Sequence, residues 1–250
     1  SKIAMIKNSL IFFALLMIST CAFSQRVTNM VYVGDKGITK NLHEAHSIVV
    51  VKQLLDKKFQ RLDYNKQGPL RKLRTYRDTA LSILEGPYME YYPSGVLKLF
   101  GKYQNNLMSD IWYSYDESGK TILMEQYING SITTTIDPSV FSNCLPDIEG
   151  FEQYAEFISK KGNGWKNYIT NSLEGSKAAE KSLNGGSVIV GFTIDTTGQT
   201  TDIFIKKSVE YVLDEEGLSV IRKSPKWKPA IRKGKKVRSL IYQPLTFIVF

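Results

Sequence analysis

The stretch that decides the fold is Ser187-Val188-Ile189-Val190-Gly191-Phe192-Thr193-Ile194-Asp195, followed by the turn Thr196-Thr197-Gly198-Gln199 and a second run from Thr200 to Ser208. Both runs alternate with period two, as strands do, and the short polar link makes them a β-hairpin. Downstream, Leu213-Asp214-Glu215-Glu216 opens a helix. Asp214 is its candidate N-cap, and the acidic residues sit at the positive end of the helix dipole. Leu218, Val220 and Ile221 supply its apolar face, Pro225 ends it, and Trp227-Lys228-Pro229-Ala230 forms an extended corner. Val237 to Phe250 reads as a final strand interrupted at Pro244. Proline cannot donate to a ladder, so Pro244 belongs on an edge or at a bulge. Upstream, Trp165, Tyr168, Ile169 and Leu173 have helical spacing, in a segment that runs from Trp165 to Leu183 and stops before Gly185-Gly186. The order is αββαβ, which implies a three-stranded antiparallel sheet with two helices on one face. The fold class is α+β.

Working outward, residues 27–131 form a strand-rich region with an internal repeat. Tyr91, Gly95 and Tyr103 recur as Tyr115, Gly119 and Tyr127, 24 residues later, and Tyr88 maps onto Trp112. Tyr64, Gly68, Leu70 and Tyr76 precede Tyr91, Gly95, Leu97 and Tyr103 by 27 residues. Alternation on either side of each glycine predicts stacked hairpins, with the glycine at a tip that needs φ > 0. Such hairpins make an elongated single-layer sheet or solenoid. The tyrosines read first as packing rungs, and second as an aromatic surface for glycan or peptide ligands. Residues 132–163, with Pro138 and Pro146, are a less patterned connector, and residues 164–250 are the C-terminal domain.

Residues 1–24 have Lys2 and Lys7 ahead of an apolar run from Leu10 to Ile18, then small residues, Ala22 and Ser24, at −3 and −1 of a cleavage after Ser24. These are the parts of a secretory signal peptide. The stretch from Leu10 to Phe23 has 14 residues, short of the ~20 that a helix needs to cross a bilayer. Export to the periplasm is therefore expected, with inner-membrane anchoring if the segment is retained. The chain carries a formal charge of +9, and export removes nucleic acid from its expected partners. Cys21 lies in the leader, which leaves Cys144 alone in the mature chain, so neither an internal disulfide nor a thiolate metal site is expected.

Two resemblances follow from these residues. The C-terminal series is Val188 to Gly198, Ser208, Leu213 to Leu218, Trp227 to Ala230, Gly234 to Val237 and Gln243 to Phe247. It resembles the TonB C-terminal domain. Gly86-Pro87-Tyr88-Met89-Glu90-Tyr91-Tyr92-Pro93-Ser94-Gly95 resembles the MORN-like repeats of exported bacterial proteins. The first resemblance implies capture of an extended segment of an outer-membrane TonB-dependent receptor, or another envelope protein, by strand addition at a sheet edge. It assigns the docking edge to the last strand, here Val237, Arg238, Ser239, Leu240, Ile241, Tyr242 and Gln243. It also raises energy-coupled transport, although the leader lacks a histidine, the leader looks cleavable, and no Pro-rich spacer is present. An edge strand of this length could also pair with its own copy.

A basic patch adds to this edge. Arg222, Lys223, Lys226, Lys228, Arg232, Lys233, Lys235, Lys236 and Arg238 follow one another with no acid between them. It reads as a solvated face that discourages aggregation, or as a steering surface for acidic partners. The alternative function is a structural envelope protein holding peptidoglycan or another anionic polymer. Nothing points to an enzyme, a cofactor or a metal. His43-Glu44-Ala45-His46 lacks the i, i+4 spacing of a helical zinc site, and Asp195 and Asp202 flank a turn that accounts for them.

Overall fold

The computed structural model describes residues 25–41, 43–138, 151–158, 164–182 and 184–248. The leader, with Cys21, and Cys144 lie outside the described residues. No described helix is long and apolar enough to cross a membrane.

The upstream region folds as one ten-stranded antiparallel sheet. Its strands are β1 (Arg26–Gly34), β2 (Gly37–Thr39), β3 (Ala45–Gln53), β4 (Phe59–Asn65), β5 (Leu70–Tyr76), β6 (Leu84–Tyr91), β7 (Leu97–Gln104), β8 (Leu107–Tyr115), β9 (Thr121–Ile128) and β10 (Ser131–Ile136). From β3 to β10 each strand pairs with the next in sequence, and β1 inserts between β3 and β2. Ser131 to Ile136, read from sequence largely as connector, forms the outermost strand, β10.

Turn chemistry explains the hairpins. Gly95 and Gly119 have φ of +82° and +86°, as the repeat predicts. In the first unit Gln67 takes the left-handed position (φ +52°) rather than Gly68. The extra three residues between the first and second units lie in the β5–β6 connection, where Asp78 accepts from the main-chain N–H groups of Ser82 and Ile83. The β7–β8 connection needs only Asn105 and Asn106, both with positive φ.

The ladder register places the two tyrosines of each unit on opposite faces. Tyr76, Tyr103 and Tyr127 share one face. There Trp112 lies within ring-contact distance of Tyr88, Tyr103 and Tyr127 (5.6, 5.2 and 6.0 Å between centroids). A β-carbon on Gly101 would collide with the Trp112 ring, so the repeat keeps that position bare. Tyr64, Tyr91 and Tyr115 share the other face, and each touches the C-terminal domain. The solitary-layer expectation is corrected here: one face of the repeat sheet is a packing platform.

The C-terminal domain comprises α1 (Gly164–Leu173), α2 (Lys177–Lys181), β12 (Gly186–Ile194), β13 (Thr200–Lys207), α3 (Tyr211–Arg222) and β17 (Ser239–Phe247). Its sheet has the order β13-β12-β17, all antiparallel. Val188, Val190, Phe192 and Ile194 of β12 pack with Leu213, Leu218 and Ile221 of α3 and with Leu245 of β17, all of them buried. The single upstream helix read from sequence is two short ones, because Gly175 adopts a positive φ and Ser176 caps a new start. Helix α3 begins at Tyr211, earlier than expected, so Asp214 is not its N-cap; that place falls to Glu210.

Asp214 instead ties the two regions together. It is fully buried and accepts from the Tyr64 hydroxyl (3.1 Å), the Val209 N–H (3.1 Å) and the Ser208 hydroxyl. Ser208 in turn accepts from the Leu70 N–H (2.7 Å) and donates its own N–H to the Gly95 carbonyl (2.9 Å). Tyr91 donates to the Ile205 carbonyl (2.9 Å). Buried Lys52 pairs with Glu215, and Arg222 donates to Gln25 (3.1 Å). Phe100 stacks on Phe204 (5.7 Å, 5°).

Burial raises the Asp214 carboxyl from its ordinary value near 3.8 to about 7, against the opposing pull of its donors. The folded state therefore holds a proton that the unfolded chain releases. The stability that Asp214 contributes is fully present below its unfolded value of 3.8 and is lost as pH rises through about 7. Urea unfolding of the parent and of Asp214→Asn, compared across this range, is expected to isolate that loss, on the order of 4 kcal/mol. Asp214→Asn should flatten the profile, while Tyr64→Phe should cost about 1–3 kcal/mol by leaving the carboxyl one donor short.

Candidate functional site: the β17 border

In the three-stranded sheet β17 pairs on one side only, with β12, from Gly186↔Phe247 to Ile194↔Ser239 without a break in register. The opposite margin, at β13, is met by the repeat region through an antiparallel bridge between Val96 and Lys207 and the Ser208–Gly95 hydrogen bond. The remaining border is therefore that of β17. Among the described residues no other strand pairs with it.

Pro244 does not interrupt this strand; it sits opposite Ile189 in an unbroken ladder. Since proline has no N–H, this pair must be of the kind that exchanges no hydrogen bonds, and the main-chain groups of Pro244 face away from β12. By alternation the same holds for Leu240, Tyr242 and Thr246. The Pro244 carbonyl is already engaged by the Gln243 side-chain amide (2.7 Å), whose oxygen accepts from the Trp165 indole of α1 (2.8 Å). Gln243-Pro244 thus makes a plug: one donor missing and one acceptor occupied. The outward-facing main-chain groups of Leu240 and Tyr242 lie on the N-terminal side of the plug.

Not all the residues assigned to this edge lie on it. Val237 belongs to β16 (Lys235–Val237), which forms a separate hairpin with β15 (Ala230–Arg232) through the pair Ala230↔Val237. Arg238 lies between strands and pairs with Asp202. The border consists of Ser239, Leu240, Ile241, Tyr242 and Gln243 onward. The cause is local: Lys233-Gly234, both with positive φ, close a tight turn that draws Val237 into the hairpin.

The side chains divide by face. Leu245, Gln243, Ile241 and Ser239 share the helix side with Val188, Val190, Phe192 and Ile194. There Trp165 gathers Phe157, Tyr168, Phe192 and Trp227 into an aromatic cluster, with centroids 4.7 to 6.2 Å apart. On the far face Tyr242 meets Phe204 edge-on, and the Lys206 ammonium lies 3.3 Å from the Tyr115 ring centroid and 5.7 Å from that of Tyr242. Burial pulls the Lys206 ammonium down to about 8. Lys206 was not legible as a functional position, because nothing in Ile203 to Lys207 marks it as buried over two rings.

The basic run is less uniform than its sequence. Arg222 turns into the junction, where burial lowers its guanidinium below the ordinary value. Lys228 pairs with Glu156 (2.8 Å), and the Gly234 N–H is held by the Glu152 carboxylate, both acids arriving from the connector. The connector strand β11 (Glu156–Phe157) pairs with β14 (Trp227–Lys228). Arg232 is half-buried, while Lys223, Lys226, Lys233, Lys235 and Lys236 are exposed. Three of these lysines surround the tip of the β15–β16 hairpin.

Asp195 accepts from the Thr197 and Gln199 N–H groups, as turn chemistry requires, whereas Asp202 serves Arg238. His43 and His46 are exposed, with His46 3.8 Å from Asp35. Among the described residues no three His, Cys, Asp or Glu side chains gather as metal ligands would.

Comparison with known proteins agrees with this geometry. Residues 176–249 match the family described as the Gram-negative bacterial TonB protein C-terminal, which supports a TonB C-terminal domain over that part of the chain. No curated protein and no solved structure matches the chain.

The plug gives a direct prediction. Gln243→Ala removes the acceptor of the Trp165 indole and uncovers the Pro244 carbonyl. Urea unfolding should register a loss of about 1 kcal/mol, with a shift in tryptophan emission as α1 loosens.

Proposed function

We propose that this protein is a periplasmic, TonB-like binding module that takes an extended segment of an outer-membrane TonB-dependent receptor, or of a related envelope protein, as an added strand along β17. The observation that carries this reading is the position of β17: an edge strand in the domain that matches the TonB C-terminal family. Main-chain hydrogen bonds supply the affinity in such a complex, and no catalytic side chain or cofactor is required. Ser239 to Tyr242 is the reading frame for the partner, and the Gln243-Pro244 plug marks its limit. The exposed lysines of the β15–β16 tip favour acidic approach and raise the association rate. The upstream hairpins, read as MORN-like repeats, serve as the platform that holds the domain by its β13 side and leaves the β17 side open. Coupling to energised transport is a further step that would need a membrane attachment upstream of residue 25.

A second reading, retention on an anionic envelope polymer such as peptidoglycan, draws on the same exposed lysines. Binding of this kind would be lost in high salt, whereas strand addition would persist.

The test uses synthetic peptides from the N-terminal segments of TonB-dependent receptors and isothermal titration calorimetry. Leu240→Pro removes an outward main-chain donor but no bond to β12, so the domain should stay folded. Affinity should fall about tenfold, the equivalent of one main-chain bond. Unchanged affinity in this variant would show that the border is not the site. Lys233→Gln combined with Lys235→Gln and Lys236→Gln should instead slow association several-fold at low salt and spare the dissociation rate.

A further inference from the structure

The ten-stranded sheet ends in two borders of different character. At one end β2 is only three residues long and covers Tyr32 to Gly34 of β1, with Lys36 and Lys40 beside it; the uncovered part of β1 opens with Arg26 and exposes Val27 and Met30. Short edge strands and charged flanks are the usual ways to discourage a foreign strand. At the other end β10 reads Ser131-Ile132-Thr133-Thr134-Thr135-Ile136. It has no charge, no proline and no glycine, and five of its six residues are β-branched. Its first five residues are exposed. Ile128, Ile132 and Leu107 are large apolar side chains exposed at the same end of the sheet, with Leu107 beside Gly130 at the β9–β10 turn. Its protective features are a bulge at Thr133 and the Asp137-Pro138 pair that follows the strand. Among the described residues no strand pairs with the outer side of β10.

We propose that β10 is a self-association edge, where a second copy of this chain adds its own β10 antiparallel about a twofold axis and makes one continuous sheet across two protomers. The sequence is self-complementary in that arrangement. With the axis between Thr133 and Thr134, Ile132 lies opposite Thr135 of the second copy, and the bulge at Thr133 puts these two on the same face, that of Tyr127 and Glu125. β-Branched cross-strand pairs of this kind favour pairing. A twofold contact closes on itself, whereas pairing β10 with the opposite border of the next copy would build an open fibre. The charged flanks at β1 and β2 disfavour the fibre. The contact is small, so a dissociation constant of roughly 10 μM or weaker is expected. This association uses a border remote in sequence from β17 and leaves that strand available to a partner.

Sedimentation velocity on the full chain, at concentrations from about 1 to 200 μM, tests the proposal. A monomer–dimer equilibrium is expected, with amide exchange at 131–136 slowed in the dimer. Thr134→Lys places two ammonium groups across the axis and should weaken the dimer at least tenfold, while its circular dichroism stays that of the parent. Thr246→Lys, on the β17 border, should leave the dimer intact. A chain that stays monomeric throughout the range, that forms open-ended polymers, or whose dimer responds to Thr246→Lys and not to Thr134→Lys overturns the proposal.

Discussion

The arrangement depends on a buried carboxyl group that must find hydrogen-bonding partners from two parts of the chain. Asp214 lies at the start of α3, but one of its three donors, Tyr64, comes from the first repeat. Ser208 extends the same knot to Leu70 and Gly95, in the first and second repeats. A carboxyl group without hydrogen-bonding partners at this depth would be costly, so the knot closes only when the C-terminal domain sits on the platform in one register. That register brings β13 against β7 and the hairpin tip at Gly95, and β17 is the strand left on the outside. The candidate site is thus defined by where the domain is not held.

Much of the C-terminal order could be read from residues, because its signals are local. Alternation from Val188 to Ile194, the Gly198 turn and the apolar stripe of Leu218 and Ile221 act within a few residues of one another. The repeat was legible for the same reason: Tyr91, Gly95 and Tyr103 return at a fixed interval. What stayed hidden depends on contacts distant in sequence. Asp214 looked like a helix cap because its acceptor role toward Tyr64 spans 150 residues. Val237 looked continuous with the last strand because the Lys233-Gly234 turn resembles an ordinary basic loop. The acids Glu152 and Glu156 that temper the basic run come from the connector, outside any window in which that run can be judged.

The β17 border balances two opposed needs. Under the proposed strand addition the edge cannot be sealed, yet an unguarded one invites indiscriminate pairing. Here the guard is partial: Pro244 and Gln243 close the middle of the strand, and Arg238 with its Asp202 partner stands at its beginning. Between them lies a short stretch with Leu240 and Tyr242, backed by the ring of Phe204 and the Lys206 ammonium. In the proposed complex a short frame would set register as well as affinity, because a slip of one residue turns every side chain of an added strand to the wrong face.

Tyr64, Tyr91 and Tyr115 come from three successive repeats, and each meets a different feature of the C-terminal domain: a carboxyl, a main-chain carbonyl and an ammonium. Tandem hairpins ordinarily tolerate duplication or loss, since each unit leans only on its neighbours. This array has surrendered that freedom. Its length is gauged by the object resting on it, so gaining a hairpin between these tyrosines would shift the seat, and losing one would leave part of the domain unsupported.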